Sequence, residues 1–338
     1  MSIIGGELFF INQNYKYVDN SLFDFLNNFN TNLYLYSSGR DALYSIFNHI
    51  KDKKIWVPNF LCESIFKPII KNNLRYEFYN VNDRLEAILQ FKPAKDDYIL
   101  IINFFGFVDE NLYKFSVDNK LNVISDTTHL IFNEERFKNV LSKSKFVVGS
   151  LRKSFALPDG GYVLSNDHLV IKNKPREEFT YLRTYGLFSR YFSSINNFNS
   201  DENFIVLKKA ESVLDKATDF GYKISYLSEN ILKCINLNDY IDQINKNFNI
   251  LNKKLNKNYI FYSQYFPIVF KNSNERDFVR KKLFEKNIFA PIHWDTNFLG
   301  NYKNSISDRI LSIPCDYRYN EFDMNDVLNV LNNHFRNR

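Results

Sequence analysis

The chain has 338 residues, with 44 Lys and Arg against 38 Asp and Glu, a formal net charge of +6, and 45% hydrophobic residues. At roughly 100 to 200 residues per domain, this length favours one large domain and a smaller one. The basic residues are dispersed, so they favour a solvated surface over a nucleic-acid groove. The longest apolar run, Tyr98 to Val108, is interrupted by Asn103 and is shorter than the roughly 20 residues of a membrane helix. We therefore predict neither a nucleic-acid nor a membrane partner.

Cysteine usage and the N-terminus bear on location. The three cysteines, Cys62, Cys234 and Cys315, are far apart and have no metal-ligand spacing, so no metal site is predicted. The first residues, MSIIGGELFF, lack the basic segment and longer apolar stretch of a signal peptide. Both features favour a reducing, cytoplasmic location.

Between about residues 30 and 170, short apolar runs alternate with helical patterns, which is typical of βαβ units in a largely parallel sheet. The predicted strands are Leu33 to Tyr36, Ile55 to Val57, Tyr76 to Tyr79, Tyr98 to Ile102, Val123 to Ser125, and Phe146 to Val148. A crossover helix after the first strand is predicted from the helical spacing of Ala42, Leu43, Ile46, Phe47 and Ile50. No GxGxxG follows that strand, so a dinucleotide-binding fold is disfavoured.

The second half of the chain has weaker patterns. Residues 176 to 200 are basic, aromatic and Asn-rich with little periodicity after Gly186, so we predict an irregular crossing segment there. Further elements are predicted in this order: a helix from about Leu227 to Leu255, strands at Tyr259 to Tyr262, Ile268 to Phe270 and Ile288 to Ile292, and a helix from about Asp323 to His334. We predict a large domain over residues 1–210 and a smaller α/β domain over residues 211–338.

The first candidate for chemistry is Ser37-Ser38-Gly39-Arg40, at the junction of a predicted strand and helix. Free backbone N–H groups and the helix dipole bind phosphate at such a point. Taken alone, an ordinary Ser cap followed by a turn glycine explains the motif better.

Two further candidates follow later strands. Asp126 ends a buried strand, where α/β folds bind ligands, and His129 lies three residues further on. A helix-capping Asp and a packed His are the structural alternatives. Lys153 follows another apolar strand and precedes the turn Pro158-Asp159-Gly160-Gly161, although a surface lysine beside a turn explains it better when taken alone.

In this order, these motifs resemble the DegT/DnrJ/EryC1/StrS sugar aminotransferases, which are pyridoxal-phosphate (PLP) enzymes of fold type I. The matching segments are Ile4-Gly5-Gly6, Ser38-Gly39 with Ala42-Leu43, Val57-Pro58, Ser125-Asp126 with His129, Lys153 with Asp159-Gly160-Gly161, Pro291-Ile292-His293, and Leu311-Ser312-Ile313-Pro314. The spacing from Lys153 to Asp159-Gly160-Gly161 is the most specific match. The resemblance implies an α/β fold with a mostly parallel seven-stranded sheet flanked by helices in the large, PLP-binding domain.

The resemblance also implies roles for the candidate residues. Lys153 would form the Schiff base with PLP and carry the proton between the substrate carbon and the cofactor. Asp126 would keep the pyridinium nitrogen protonated, so that the ring accepts electrons. Ser38, Gly39 and the backbone of Arg40 would hold the phosphate, and His129 would support the polar edge of the ring.

Several positions depart from the family pattern. Arg40 replaces the usual hydroxyl residue after the glycine, and its guanidinium is a candidate phosphate ligand. Cys62 stands where an aromatic residue is expected to stack on the cofactor, with Phe60 two residues earlier. Val148 occupies the place of a phosphate-binding serine, so Ser150 is the candidate replacement. The partner-subunit phosphate motif is not recognisable, and Asn197 and Asn199 are weak candidates for its role.

The implied activity is amino transfer from L-glutamate to a nucleotide-linked keto sugar in surface polysaccharide or glycan synthesis, by a homodimer with a shared active site. Arg183, Arg190 and His293 are candidate contacts for a carboxylate or diphosphate. For each of them, a surface or packing role is the simpler alternative. Two other functions stay open: aminotransfer to a small keto compound, and a catalytically retired homologue that serves as a binding protein. Retention of Lys153 disfavours sugar dehydration.

Overall fold

The structure is a computed structural model that describes residues 3–10, 16–196 and 201–335. The strands are β1 (Ile4–Gly5), β2 (Asn32–Tyr36), β3 (Lys54–Pro58), β4 (Arg75–Val81), β5 (Ala87–Ile88), β6 (Tyr98–Ile102), β7 (Asn122–Asp126), β8 (Phe146–Gly149), β9 (Gly161–Ser165), β10 (Tyr265–Val269), β11 (Ile288–Phe289) and β12 (Ile310–Pro314). The helices are α1 (Leu22–Asn27), α2 (Gly39–His49), α3 (Glu63–Lys71), α4 (Glu110–Asp118), α5 (Glu134–Ser142), α6 (Glu177–Ile195), α7 (Asp201–Asp215), α8 (Tyr226–Leu232), α9 (Leu237–Lys254), α10 (Ser273–Phe284) and α11 (Glu321–Phe335).

The central element is an eight-stranded sheet of order β2-β9-β8-β7-β6-β3-β4-β5. Strand β3 runs parallel to β4 and β6, β6 to β7, and β7 to β8. Strand β9 runs antiparallel to both β8 and β2, so β2 has the direction of the parallel strands. The prediction of a mostly parallel sheet is confirmed. The eighth strand, beyond the predicted seven, is the two-residue β5, which adds antiparallel to the edge of β4.

All six predicted strands of the first half are present, as β2, β3, β4, β6, β7 and β8. Every residue of β6 is buried, as its unbroken apolar sequence YILII requires of a strand covered on both faces. The crossover helix is α2, capped by Ser38, whose Oγ accepts the N–H of Asp41 at 3.1 Å. Its predicted apolar residues Ala42, Leu43, Ile46 and Phe47 are buried.

The predicted irregular segment across residues 176 to 200 is wrong for residues 177–195, which form the single helix α6. One face of α6 packs on α7, and Gly186 allows the close approach, since a Cβ there would lie 2.6 Å from Leu207 Cδ2. The opposite face also carries large apolar side chains, which lie exposed. With apolar residues on two faces, the helical period is masked in the sequence. Asn197 and Asn199 lie outside the described residues.

The single helix predicted from Leu227 to Leu255 is also wrong, because the chain forms two helices, α8 and α9. The break occurs before Asn236, which begins α9 as a cap and accepts the N–H of Asn238 at 3.2 Å. Asn favours such caps over helix interiors.

The later strand predictions are confirmed in part. Strand β10 contains most of the predicted Ile268 to Phe270 segment, whereas residues 259–262 form no strand. Strand β11 ends at Phe289, two residues before Pro291, which has no N–H to donate to a ladder. The final helix α11 is confirmed.

Two small sheets complete the fold. Strands β10 and β12 pair antiparallel, and β1 pairs parallel with β11, which joins the N-terminal segment to the second half of the chain. The predicted domain boundary between residues 210 and 211 falls inside α7, and the division into two domains stays a prediction. Among the described residues, no helix has the length and apolarity needed to cross a bilayer.

Candidate active site

The parallel strands of the central sheet deliver polar residues to one edge. Because β2, β3, β6, β7 and β8 run in the same direction, the segments that follow them lie at their common carboxyl edge. These segments carry Ser38 after β2, Cys62 after β3, Asn103 after β6, Asp126 at the end of β7 and Lys153 after β8. Ligands bind at this edge in α/β sheets.

A pocket at this edge contains four of the predicted site residues. Its lining residues are Cys62, Ile65, Ile102, Asn103, Asp126, Thr128, His129, Lys153 and Trp294. Lys153 ends a short 3-10 turn (Leu151–Lys153), and its side chain is solvent-exposed, whereas Asp126 is buried. An amine and a buried carboxylate therefore share one cavity.

Asp126 is held by hydrogen bonds to neighbouring segments. Its Oδ1 accepts the N–H of Thr128 at 2.9 Å. Its carbonyl oxygen accepts the backbone N–H of Asn103 at 3.1 Å and the Nδ2 of Asn103 at 2.9 Å. Burial raises the pKa of Asp126 above its usual value, against the opposing effects of Thr128 and of the positive Lys153. Among the described residues, no cationic group forms a salt bridge with this carboxylate, so a cationic ligand would stabilise its charged form.

His129 is neutral in this environment. Burial lowers its pKa well below the usual value, with further lowering from His293 and Lys153. Its Nδ1 lies 3.2 Å from the N–H of Phe105 and accepts that hydrogen bond. The neutral ring therefore carries its proton on Nε2.

The turn that carries Lys153 is fixed from both sides. Its carbonyl oxygen accepts the Nε2 of Gln264 at 2.9 Å. The preceding residue, Arg152, is buried and makes a bidentate ion pair with Glu211 of α7, at 2.7 and 3.0 Å. The following residue, Ser154, donates to the carbonyl oxygen of Thr128 at 3.0 Å. These contacts define the backbone from which the Lys153 side chain extends.

The start of α2 approaches the loop after β8 closely. A Cβ on Gly39 would lie 3.1 Å from the Cβ of Ser150, and a Cβ on Gly161 would lie 2.5 Å from the carbonyl oxygen of Ser38. The first helical bond is donated by Ala42 to Ser38, so the preceding N–H groups of Gly39 and Arg40 are not used by the helix. A helix start of this kind suits an anion.

Other predicted site residues have partners outside the pocket. The guanidinium of Arg40 contacts Asp215 at 2.8 Å. Arg183 is fully buried and donates to Glu7 at 2.8 Å. Arg190 donates to the carbonyl oxygen of Gly5 at 3.3 Å.

Two aromatic candidates lie close behind the pocket. Phe60 is fully buried, with its ring 5.5 Å from that of Trp294. His293 hydrogen-bonds Ser312 Oγ at 3.0 Å, and its ring lies 6.1 Å from that of His129. Burial and the charge of Lys153 lower the pKa of His293 to about 3.

The structure adds pocket residues that the sequence analysis did not select. Asn103 interrupts an apolar run at the end of β6, and that polar interruption is the signal that identifies it in the sequence. Thr128 lies between Asp126 and His129 and is likewise a polar residue that closely follows a strand. Trp294 comes from a distant segment and has no local signal in the sequence. The same holds for Gln264, which does not line the pocket but bonds to the backbone of Lys153. Among the described residues, no cluster of three or more His, Cys, Asp or Glu could hold a metal ion.

The fold and the position of the pocket define an α/β protein with its candidate site at the carboxyl edge of a mostly parallel sheet, where open α/β sheets bind their ligands. No protein-family model matches the sequence, and no curated protein matches it.

Solved structures, however, share the fold. Helicobacter pylori PseC, an aminotransferase of pseudoaminic acid biosynthesis, matches with a TM-score of 0.65 and 11% identity over 94% of this chain and 90% of its own. A DegT/DnrJ/EryC1/StrS aminotransferase from Brucella abortus matches with a TM-score of 0.59 and 14% identity, over 94% and 91%. Spr1654 from Streptococcus pneumoniae, in its PLP form, matches with a TM-score of 0.60 and 11% identity, over 96% and 94%. At such identities, the likeness establishes the fold.

Proposed function

We propose that this protein is a PLP-dependent aminotransferase that moves an amino group from L-glutamate to a nucleotide-linked keto sugar. The observation that carries the proposal is that Lys153 and Asp126 line one pocket at the carboxyl edge of the sheet. A lysine and a buried carboxylate are the two groups that PLP chemistry needs from the protein. The similar structures include Spr1654, which is described as a sugar aminotransferase, and this supports a sugar as the acceptor class.

The residues of the pocket fit PLP. The buried carboxylate of Asp126 forms no salt bridge within the described part of the chain, and a protonated ring nitrogen would supply the missing cation. The closely packed start of α2, with free N–H groups at Gly39 and Arg40, suits a phosphate. The Ser150 side chain lies against Gly39 and would add its hydroxyl to the phosphate site. Ser38 would contribute through its place at the start of α2, because its own hydroxyl caps the helix and donates to Asp41 at 2.6 Å.

The chemistry divides between the cofactor and the chain. When bound, PLP supplies an electron sink for the electrons of the broken C–H bond. Lys153 Nζ would be the covalent anchor and, when free, would accept and return the proton. Asp126 would pair with the protonated ring nitrogen, and Thr128 and Asn103 orient Asp126. Neutral His129 presents its Nε2–H beside them as a hydrogen-bond donor.

The remaining candidate residues have less direct contact with the pocket, and their roles are part of the same proposal. Cys62 lines the pocket, and the buried ring of Phe60 packs against Trp294, another lining residue. His293 lies beside His129 and is the best placed of the three candidate substrate contacts. Arg183 and Arg190 would act on substrate through a change in their present contacts with Glu7 and Gly5. The same applies to Arg40, which pairs with Asp215.

We also propose a homodimer, with a shared active site. The exposed face of α6 supports it, because large apolar side chains recur there with spacings of four, three, four and three residues. This outer stripe of α6 consists of Tyr181, Tyr185, Phe188, Phe192 and Ile195. Contiguous exposed apolar surface of this kind marks an interaction site, and the spacing is that of helices that pair lengthwise. The outer stripe of α6 in one subunit would pack against the same stripe of α6 in a second copy, as a two-fold symmetric dimer requires.

The proposed organisation follows from the same function. The large domain, residues 1–210, would bind PLP, and residues 211–338 would form the small domain. A cytoplasmic location agrees with three free cysteines and with a cytoplasmic supply of glutamate and nucleotide sugars.

The proposal is tested by the absorption spectrum of the purified protein with PLP, before and after L-glutamate is added. We expect the visible band of lysine-linked PLP, its conversion by glutamate, and its loss in Lys153→Ala. The exposed Lys216→Ala variant is the matched control and should keep the band. A wild-type protein that shows no band under any loading condition would make the retired homologue the better description.

The acceptor is tested separately, with the glutamate-treated protein as the amine donor. Nucleotide-linked keto sugars should restore the visible band faster than small keto phosphates do. The reverse order would keep the aminotransferase and replace the sugar by a small keto compound.

A further inference from the structure

The pocket has an aromatic wall that comes from outside the central sheet. Trp294, which lies between β11 and β12, lines the same pocket as Lys153 and Asp126. Its ring lies nearly parallel to that of His129, with centroids 5.7 Å apart and an angle of 11°. It is also stacked on Phe105, at 6.0 Å and 24°. Three flat rings with nearly parallel planes and mutual centroid distances of 5.5, 5.7 and 6.0 Å therefore cluster beside the buried carboxylate.

The position where an aromatic residue would be expected from the sequence does not supply one. Cys62 occupies it and lines the pocket with a small thiol, which donates nothing to ring stacking and accepts a hydrogen bond from Ser64 Oγ at 3.0 Å. Phe60 is fully buried, and its ring meets Trp294 edge-on at 63°. Among the described residues that line the pocket, Trp294 has the one large aromatic ring.

The surroundings of Trp294 also suit a cationic ring. The neighbouring His129 and His293 are both held neutral, since burial lowers the pKa of each. The two imidazoles nearest to Trp294 therefore add no positive charge that would repel a pyridinium. An electron-rich indole face attracts a flat cationic ring, and the gain is larger where water is excluded.

We propose that Trp294 is the aromatic residue against which the ring of bound PLP lies, and that Cys62 leaves the space for this arrangement. The inference rests on the proposed function. It assigns a cofactor contact to a segment some 230 residues from the expected position, since Cys62 and Trp294 meet only in the folded chain.

The first test is retention of PLP by wild type, Trp294→Leu and Trp294→Phe, measured as the dissociation constant by dialysis and as the visible absorption maximum. Loss of the aromatic contact in Trp294→Leu should weaken PLP binding by about 3- to 10-fold and shift the absorption maximum. Trp294→Phe should keep most of the affinity. Phe298→Leu, which removes a ring of the same segment outside the pocket, is the matched control and should retain PLP as wild type does.

A second measurement uses the unaltered chain, in case Trp294→Leu folds poorly. The chain has two tryptophans, so fluorotryptophan labelling gives two fluorine NMR signals. Trp56 lies in β3, with its Nε1 donating to Asp97 at 3.0 Å, away from the carboxyl edge. Addition of PLP should shift the Trp294 signal through the ring current of the cofactor and leave the Trp56 signal in place.

The outcomes separate the two proposals. Wild-type PLP affinity in Trp294→Leu, or an unshifted Trp294 signal in PLP-loaded protein, overturns the assignment of Trp294 alone. A wild-type protein that takes up no PLP overturns the proposed function, and the Trp294 contact with it.

Discussion

The carboxyl edge of the central sheet and the packed pair of helices α6 and α7 are built on different principles. At the sheet edge, each strand contributes one or two polar side chains, and neighbouring segments hold them, as Asn103 and Thr128 hold Asp126. In the α6–α7 pair, two continuous helices bury apolar residues between them and expose a second apolar stripe. The sheet edge holds reactive side chains in defined positions, whereas the α6–α7 pair presents an exposed apolar surface.

The two regions are joined by charge. Arg152 precedes Lys153 at the sheet edge, and its bidentate partner Glu211 belongs to α7. Glu211 also lies 3.9 Å from Arg40 and 3.8 Å from Arg183, so one carboxylate serves three guanidinium groups. A disturbance of α7 should therefore reach the lysine turn. Because the sheet edge and the α6–α7 pair are built differently and are joined by the ion pairs of Glu211, we expect substitutions in the two regions to have different effects.

The largest effect is expected at the sheet edge, from Asp126→Asn. The amide keeps the shape of the side chain but cannot neutralise a protonated ring nitrogen. We expect the glutamate half-reaction to slow by roughly 10²- to 10³-fold, the cost of removing one preorganised electrostatic partner. The rate is measured as single-turnover conversion of the visible band. Asp109→Asn removes another buried carboxylate, the cap of α4, and should change stability without this slowing. Equal rates in wild type and Asp126→Asn would remove Asp126 from the chemistry.

The next effect belongs to the surface of α6. Phe188→Asp places a charge at the centre of the outer stripe, and should weaken self-association by about 30-fold or more if that stripe is the centre of the interface. The mass in solution, measured by light scattering over a range of concentrations, reports the change. Tyr226→Asp alters a highly exposed aromatic residue of α8, outside the stripe, and should leave the mass unchanged. A Phe188→Asp protein that stays dimeric would place the interface elsewhere.

Much of the sheet edge could be predicted, because short apolar runs identify the strands in the sequence. The residues that follow parallel strands must then lie at the carboxyl edge of the sheet. Asp126 and Lys153 were selected in this way. The interaction of Arg40 could not be predicted, since its partner Asp215 lies 175 residues away. Trp294 and Glu211 reach the site from distant segments for the same reason. Helix α6 was missed because two apolar stripes cancel the contrast that reveals a helix.

A smaller effect is expected where the two regions meet. Glu211→Gln leaves the buried Arg152 without its charged partner, and should lower the free energy of unfolding by about 1.5–3 kcal/mol, the range for a hydrogen bond to a charged group. Denaturant unfolding measures the change. Glu229→Gln, in an i,i+4 pair with Lys233 at 3.9 Å, is the control and should change stability by less than about 0.5 kcal/mol.

The same variant tests whether the link reaches the cofactor. If the Arg152–Glu211 pair fixes the lysine turn, Glu211→Gln should also broaden or shift the visible band of bound PLP. A loss of stability with an unaltered spectrum would mean that the pair only joins the helices to the sheet.

The last effect, small at neutral pH and growing in acid, is a dependence on pH within the sheet-edge region. The pKa of His293 is lowered from 6.5 to about 3, so the unfolded chain binds a proton over this range that the folded chain does not. Stability is therefore fully present above pH 6.5 and falls as the pH is lowered toward 3, by up to about 1.4 kcal/mol per pH unit. His293→Gln should remove this contribution and flatten the slope of unfolding free energy against pH. Carboxylates contribute to acid unfolding in both proteins, so the difference between the two slopes reports His293 together with its effect on the pKa of His129.

The exposed His168→Gln variant provides the control and should keep the wild-type slope. The absolute stability of His293→Gln also reflects the lost hydrogen bond to Ser312, which is why the slope is the informative quantity. An unchanged slope would mean that the pKa of His293 is not lowered in the folded protein. Its ring would then carry a positive charge below about pH 6.5, beside Lys153 and His129, and in that range the site would favour an anionic substrate group at His293 rather than a neutral hydrogen-bonding one.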